Sequence, residues 1–387
     1  MVGSTLLAMA VTEAALRAAS SWLFPEAVIE PNPVLGWSLK PGLKMFSRDE
    51  NALWVEHNSA GWRDREHAIA AAPGTRRVAV IGDSFIHSYF APLDAMFSSF
   101  FERELTKCAP HPQPFEALSF GVFGYNTTQE LLTYRHHAAR YKPDIVLLAF
   151  FTANDVFDNE RRLSSEFAPR YAYEGNTLVL DNSFRNALPA PPRHPWRRQL
   201  FETLVAHSRI LRLVKESADK ARRYWSRDAA ADPPPEVAVP ETAIYKPPTT
   251  PELQAAWRNT EGVLLKFRDE VQANGSEFWL MTLYNPIQVD PDVSKRRALE
   301  SSLGVDSLFY PDRRLAAFAR EHGIPVISLA EVMAADSSER HVYLFGGDSP
   351  SVPPGEGHWN QAAAAAAARL SAAQMCRDSA SLAAVLR

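Results

Sequence analysis

The chain has 387 residues, 46% of them hydrophobic, 22% charged and 11% aromatic, a composition that specifies a packed core and excludes a disordered chain. Its 41 basic and 45 acidic residues are interspersed and sum to a formal charge of -4, so the sequence carries no electrostatic footprint for nucleic acid. The length suits one large α/β domain with an elaboration, or two modest domains.

Residues 1–24 are rich in Ala and Leu, but Glu13 and Arg17 interrupt them, leaving less than the about 20 apolar residues of a spanning helix. Two readings stand: a membrane anchor or signal-like helix, or a helix lying on the domain. Residues 25–75 read as an N-terminal extension, because Pro31, Pro33, Gly36 and Pro41 break it into short strands and loops and His57 to Asp64 reads as a strand and turn. After Pro73-Gly74, Arg77 to Ile81 is a short apolar run suited to a parallel strand buried on both faces. Asp94 to Lys107 predicts a helix, with Phe97, Phe100, Phe101 and Leu105 at helical spacing. Phe115 to Phe120 predicts a second strand, Thr128 to Tyr141 a helix, and Asp144 to Phe151 a third strand. From about 160 to 250 the character changes: prolines cluster at 189–195 and 233–235, which marks an insertion. Regularity resumes with a helix from Pro251 to Ala273, a strand from Glu277 to Leu283, a helix from Pro311 to His322 and a strand from Ile324 to Leu329. A last helix runs from Asn360 to Met375 through an alanine tract, and 377–387 is left as a tail.

Strands alternating with helices predict a parallel sheet. Five such strands over residues 76–376 make a three-layer α/β/α, flavodoxin-like fold, in which ligands bind at the carboxyl ends of the strands. The chemistry is therefore sought there. Gly82-Asp83-Ser84 ends the first strand, Gly121 to Asn126 follows the second, Thr152-Ala153-Asn154-Asp155 ends the third, and Glu356-Gly357-His358-Trp359-Asn360 precedes the last helix. Each segment alone reads equally well as turn or cap residues. Together they supply a nucleophile, oxyanion donors and a base at one sheet edge.

In order and spacing these segments resemble the SGNH/GDSL hydrolases, a superfamily of serine esterases and acyl-hydrolases, and Asn58 to Asp64 resembles a bacterial, envelope-associated branch of it. The resemblance implies Ser84 as nucleophile and His358 as base. It implies an oxyanion hole made by the backbone N–H groups of Ser84 and Gly124 and the side-chain amide of Asn154. Asp83 and Asp155 are expected to organise the turns behind them, and His87 to line the crevice. The family places an aspartate two or three residues before its histidine; here Glu356 is expected to orient His358, with Asp348 as the alternative acid. Ala153 stands where many members carry glycine.

Two distant cysteines read by default as buried thiols, but in a flavodoxin-like order the first and last helices lie side by side. Cys108 follows the first and Cys376 ends the last, so a Cys108–Cys376 disulfide is expected, and with it an oxidising, extracytoplasmic location such as the periplasm. No Gly-rich phosphate loop and no His/Cys cluster is present, so no cofactor and no metal is expected. The expected ligand is a small ester or an acylated carbohydrate. Phe85, Tyr89, Phe90, Tyr125 and Trp359 are available to stack on sugar rings or to pack as core. The leading activity is cleavage of an O-acyl or O-acetyl ester on an envelope polysaccharide through an acyl-Ser84 intermediate. The alternatives are an O-acetyltransferase using the same site and a catalytically weak carbohydrate-binding module.

Overall fold

Along the first apolar run, alternate side chains enter two different cores, Val78 and Val80 on one side and Ala79 and Ile81 on the other. That alternation is the mark of a strand buried on both faces. The computed structural model describes residues 2–18, 28–47, 50–108, 114–164, 167–187, 195–225, 237–348 and 350–383. Helix α1 (Val2–Ala18) precedes two antiparallel strand pairs, β1 (Ile29–Asn32) with β2 (Gly36–Leu39) and β3 (Lys44–Ser47) with β4 (Leu53–Glu56). The central domain opens with β5 (Arg76–Gly82), α2 (Ser84–His87), α3 (Phe97–Leu105), β6 (Phe115–Gly121), α4 (Thr127–His136), β7 (Ile145–Phe151) and α5 (Asn154–Asp158). The insertion holds an antiparallel pair, β8 (Arg170–Glu174) and β9 (Thr177–Asp181), and two helices, α6 (Pro195–His207) and α7 (Arg209–Trp225). The domain closes with α8 (Pro251–Ala273), β10 (Glu277–Leu283), α9 (Val293–Leu303), α10 (Tyr310–Glu321), β11 (Val326–Ser328), α11 (Ala330–Arg340), α12 (Gln361–Asp378) and the short α13 (Ala380–Ala383).

The five long-range strands are parallel and ordered β11-β10-β7-β5-β6. This is the flavodoxin-like order, so the expected fold class holds. One helix layer covers the face carrying Ala79 and Ile81 with Leu131, Trp257, Phe267 and Leu315. The other covers Val78 and Val80 with Phe97, Phe101, Met333 and the buried alanines of α12. Small alanine side chains let α12 approach α3 closely, and Cys108 is joined to Cys376 by a disulfide with a Cα separation of 5.9 Å.

The extension is built into the domain. Leu35, Leu39 and Trp62 belong to the first core. Trp37 Nε1 donates to the Phe123 carbonyl, and Tyr125 Oη donates to the Trp37 carbonyl at 2.5 Å.

Helix α1 contacts α7 of the insertion. Glu13 accepts from the backbone N–H groups of Arg209 and Ile210, at 2.9 and 3.1 Å, and so caps the N-terminus of α7. The Arg209 N–H, followed by the Arg17 guanidinium and then the Ile210 N–H, holds the Glu13 carboxyl down to about 2. Among the described residues no helix is long and apolar enough to cross a membrane. The end of the proposed anchor at 19–24, the prolines at 189–192 and 233–235, and the last four residues of the tail lie outside the described residues.

Candidate active site

The turn that carries Ser84 exists because two strands end in glycine. A Cβ on Gly82 would stand 2.7 Å from Ile86 Cγ1, and one on Gly121 would stand 2.1 Å from the His87 nitrogen. Without those side chains α2 lies directly on the ends of β5 and β6. Asp83 caps it by accepting the Phe85 N–H at 3.0 Å, and Ser84 follows as the first helical residue. The Ser84 side chain points to His358, with Oγ 2.9 Å from Nε2.

On its other nitrogen His358 meets Glu50. Nδ1 donates to Glu50 Oε1 at 2.5 Å, and the His358 backbone N–H donates to Oε2 at 3.2 Å. Two contacts from one carboxylate fix both the tautomer and the ring orientation, so the Nε2 lone pair faces the serine hydroxyl. The acid expected at Glu356 is therefore corrected. Glu356 is exposed, and Asp348 is also exposed, its Oδ2 accepting the Gln361 N–H at 2.8 Å at the start of α12. Glu50 reaches the histidine because Gly355-Glu356-Gly357 makes a turn with φ of 92° and 71° at its glycines. A Cβ on Gly357 would lie 3.1 Å from Glu50 Cδ. Those glycines are the sequence signal that could have redirected the search for the acid.

Gly124 and Asn154, the residues expected to complete an oxyanion hole with Ser84, both follow strands that end at this sheet edge. Gly124, with φ of 71°, adopts the left-handed backbone that favours glycine, and it shares a cavity of about 400 Å³ with Ser84 and His358. Asn154 heads α5 at the end of β7, near enough to Asp83 for its amide to favour the ionised carboxyl. An amide N–H of that kind can also donate to an oxyanion. Asp155 supports the same turn by accepting the Phe151 N–H at 2.7 Å.

Behind this surface lie three fully buried carboxyls, Asp83, Glu130 and Asp155. Burial pushes Asp83 up to about 6, against the pull of the Phe85 N–H, His358 and Asn154. Burial, with Asp83 nearby, holds Glu130 well above the ordinary carboxylate range. Asp155 is raised by burial and by both neighbours. Neither oxygen of Glu130 has a donor, so of the three carboxyls its ionised form is the least compensated.

His87 lines the crevice, as expected, and is completely buried. Its Nε2 is 3.4 Å from His57 Nε2, while His57 Nδ1 donates to the Lys40 carbonyl at 2.9 Å. His57 is therefore the acceptor of the pair and His87 the donor. Burial depresses both imidazoles, His87 the further, which keeps the crevice floor neutral.

Most of the aromatic residues pack around the base. Phe90 stacks on the His358 ring at 4.5 Å, and Phe85 contacts His358, Phe151 and Trp359 at 5.1, 4.7 and 5.2 Å. Phe85, Phe90, Tyr125 and Trp359 are buried, and of the five only Tyr89 lines the cavity. Among the described residues there is no group of three or more side chains that could hold a metal ion.

No protein-family model and no curated protein matches the chain. Solved structures do. A lipase/acylhydrolase from Enterococcus faecalis is 12% identical, covering 78% of this chain and 96% of its own, with a TM-score of 0.37. A catalytic mutant of an acetylxylan esterase from Geobacillus stearothermophilus is 11% identical over 78% and 93% of the two chains, also at 0.37. An alpha/beta hydrolase enzyme from the metagenome of Lake Arreo, Spain, is 14% identical over 79% and 97%, at 0.38.

Proposed function

We propose that the protein is a serine hydrolase of esters, with Ser84 as nucleophile, His358 as general base and Glu50 as the acid that orients it. The observation that carries the reading is the unbroken chain of hydrogen bonds from Ser84 through His358 to Glu50. Such a chain makes a weak nucleophile effective, because the imidazole takes the hydroxyl proton as the Ser84 Oγ–carbonyl carbon bond forms. The negative charge that develops on the carbonyl oxygen is met by the backbone N–H groups of Ser84 and Gly124 and by the Asn154 amide. Each such donor contributes about 3 kcal/mol to transition-state stabilisation. Collapse returns the proton from His358 to the departing alcohol and leaves acyl-Ser84, which water activated by the same histidine then hydrolyses.

A complete hydrogen-bonded triad supports catalysis over a catalytically weak binding module. The disulfide between Cys108 and Cys376 supports an oxidising compartment, hence an extracytoplasmic site of action. An O-acetylated polysaccharide as substrate finds less support, since four of the five aromatics that could stack on sugar rings are committed to packing. A serine-reactive fluorophosphonate is expected to add once to the protein, at Ser84, with Ser84→Ala unlabelled and unable to release 4-nitrophenol from a 4-nitrophenyl ester. Equal labelling or turnover by the variant would refute the assignment.

A further inference from the structure

The cavity beside Ser84 is far larger than an acetyl group requires. Its volume is about 400 Å³, within the range of about 300–1,000 Å³ of pockets that enclose whole small molecules. The methyl of an acetyl group needs little more than one water's share of about 30 Å³. Its walls are aliphatic and aromatic: Val28, Met45 and Val55 from the extension, and Tyr89 and Phe123 from the domain. Polar side-chain atoms among its lining residues come from the catalytic pair, from the Tyr89 hydroxyl at one wall and from His87, whose Nε2 is engaged by His57. Among the described residues no carboxylate or amide side chain lines it. A sugar placed there would bury several hydroxyls without partners, each at a net loss. A hydrocarbon chain would lose nothing.

We infer that this cavity holds the acyl chain of the substrate and that the enzyme acts on esters of medium-length apolar acids, with the N-terminal extension forming the wall that selects them. The inference rests on the hydrolase reading above. The acyl side is indicated because Gly124 and its neighbour Phe123 both face the cavity, so a carbonyl whose oxygen points at Gly124 directs its substituent along that wall.

The test uses the full chain and 4-nitrophenyl esters from acetate to octanoate. The value of kcat/KM is expected to rise roughly fourfold per methylene, the fold-change that burying one CH₂ corresponds to, until the cavity is filled. Val55→Phe, or Met45→Phe if the first does not fold, should lower the hexanoate-to-acetate ratio of kcat/KM at least tenfold. Ethyl hexanoate should be cleaved faster than its isomer hexyl acetate, which separates the acyl side from the alcohol side. A preference for acetate, an unchanged ratio in the folded variants, or faster cleavage of hexyl acetate would overturn the inference while leaving the hydrolase standing. Absence of both turnover and Ser84 labelling would remove the hydrolase and this inference together.

Discussion

Glu50 does for His358 what no residue near His358 in sequence does. A carboxylate that binds Nδ1 and the backbone N–H of the same histidine both selects the tautomer and stabilises the imidazolium that forms during attack. Glu50→Gln keeps the shape but can turn an N–H toward Nδ1, favouring the wrong tautomer. Its kcat is expected to fall roughly 10³- to 10⁴-fold with little change in KM. Glu356→Gln and Asp348→Asn should leave kcat unchanged, and steady-state kinetics on one short ester compares all three. Ser84, Gly124, Asn154 and His358 were legible because each sits beside a strand or helix whose apolar pattern fixes its place. Glu50 was not, because its distance from His358 is 308 residues in sequence and closes only when β3 and β4 dock. No local periodicity encodes that docking.

Helix α4 carries a different kind of tension. Its Glu130 is buried without a donor, behind the turns that hold Ser84 and Asn154. Since burial raises its pKa in the folded state, folding favours the protonated form. Stability from this group is greatest below the unfolded value of about 4.3 and is lost as pH rises through the folded value. Glu130→Gln removes that dependence. Thermal melts should show the variant more stable than the parent at pH 8, by a few degrees, with a smaller gain at pH 5. Equal shifts at both values would mean that burial does not raise the Glu130 pKa. Legibility at this scale followed burial. The all-apolar strands were readable, whereas α9 has no buried residue among its described ones and so shows no helical stripe. The pair β8 and β9 was hidden in a proline-rich stretch that reads as irregular chain.

Across the molecule, one covalent link ties the end of α3 to α12. The Cys108–Cys376 disulfide closes a loop of 268 residues in sequence separation, and loops of that size constrain the unfolded chain strongly. The double variant Cys108→Ala/Cys376→Ala is expected to lose about 2–5 kcal/mol of stability by denaturant titration. Its triad geometry should survive, since neither cysteine touches the site. That pairing followed from the helix order once the sheet was inferred, so it was legible as topology. The union of extension and domain into one core was not, because Leu35, Leu39 and Trp62 lie among turn residues that carry no period.

The position of Glu50 has a consequence for synthesis. The acid leaves the ribosome 308 residues ahead of the base. On the hydrolase reading, every nascent chain that stops short of His358 therefore lacks an armed serine, however much of the sheet has formed. Reactivity would arise only once Glu50 and His358 meet.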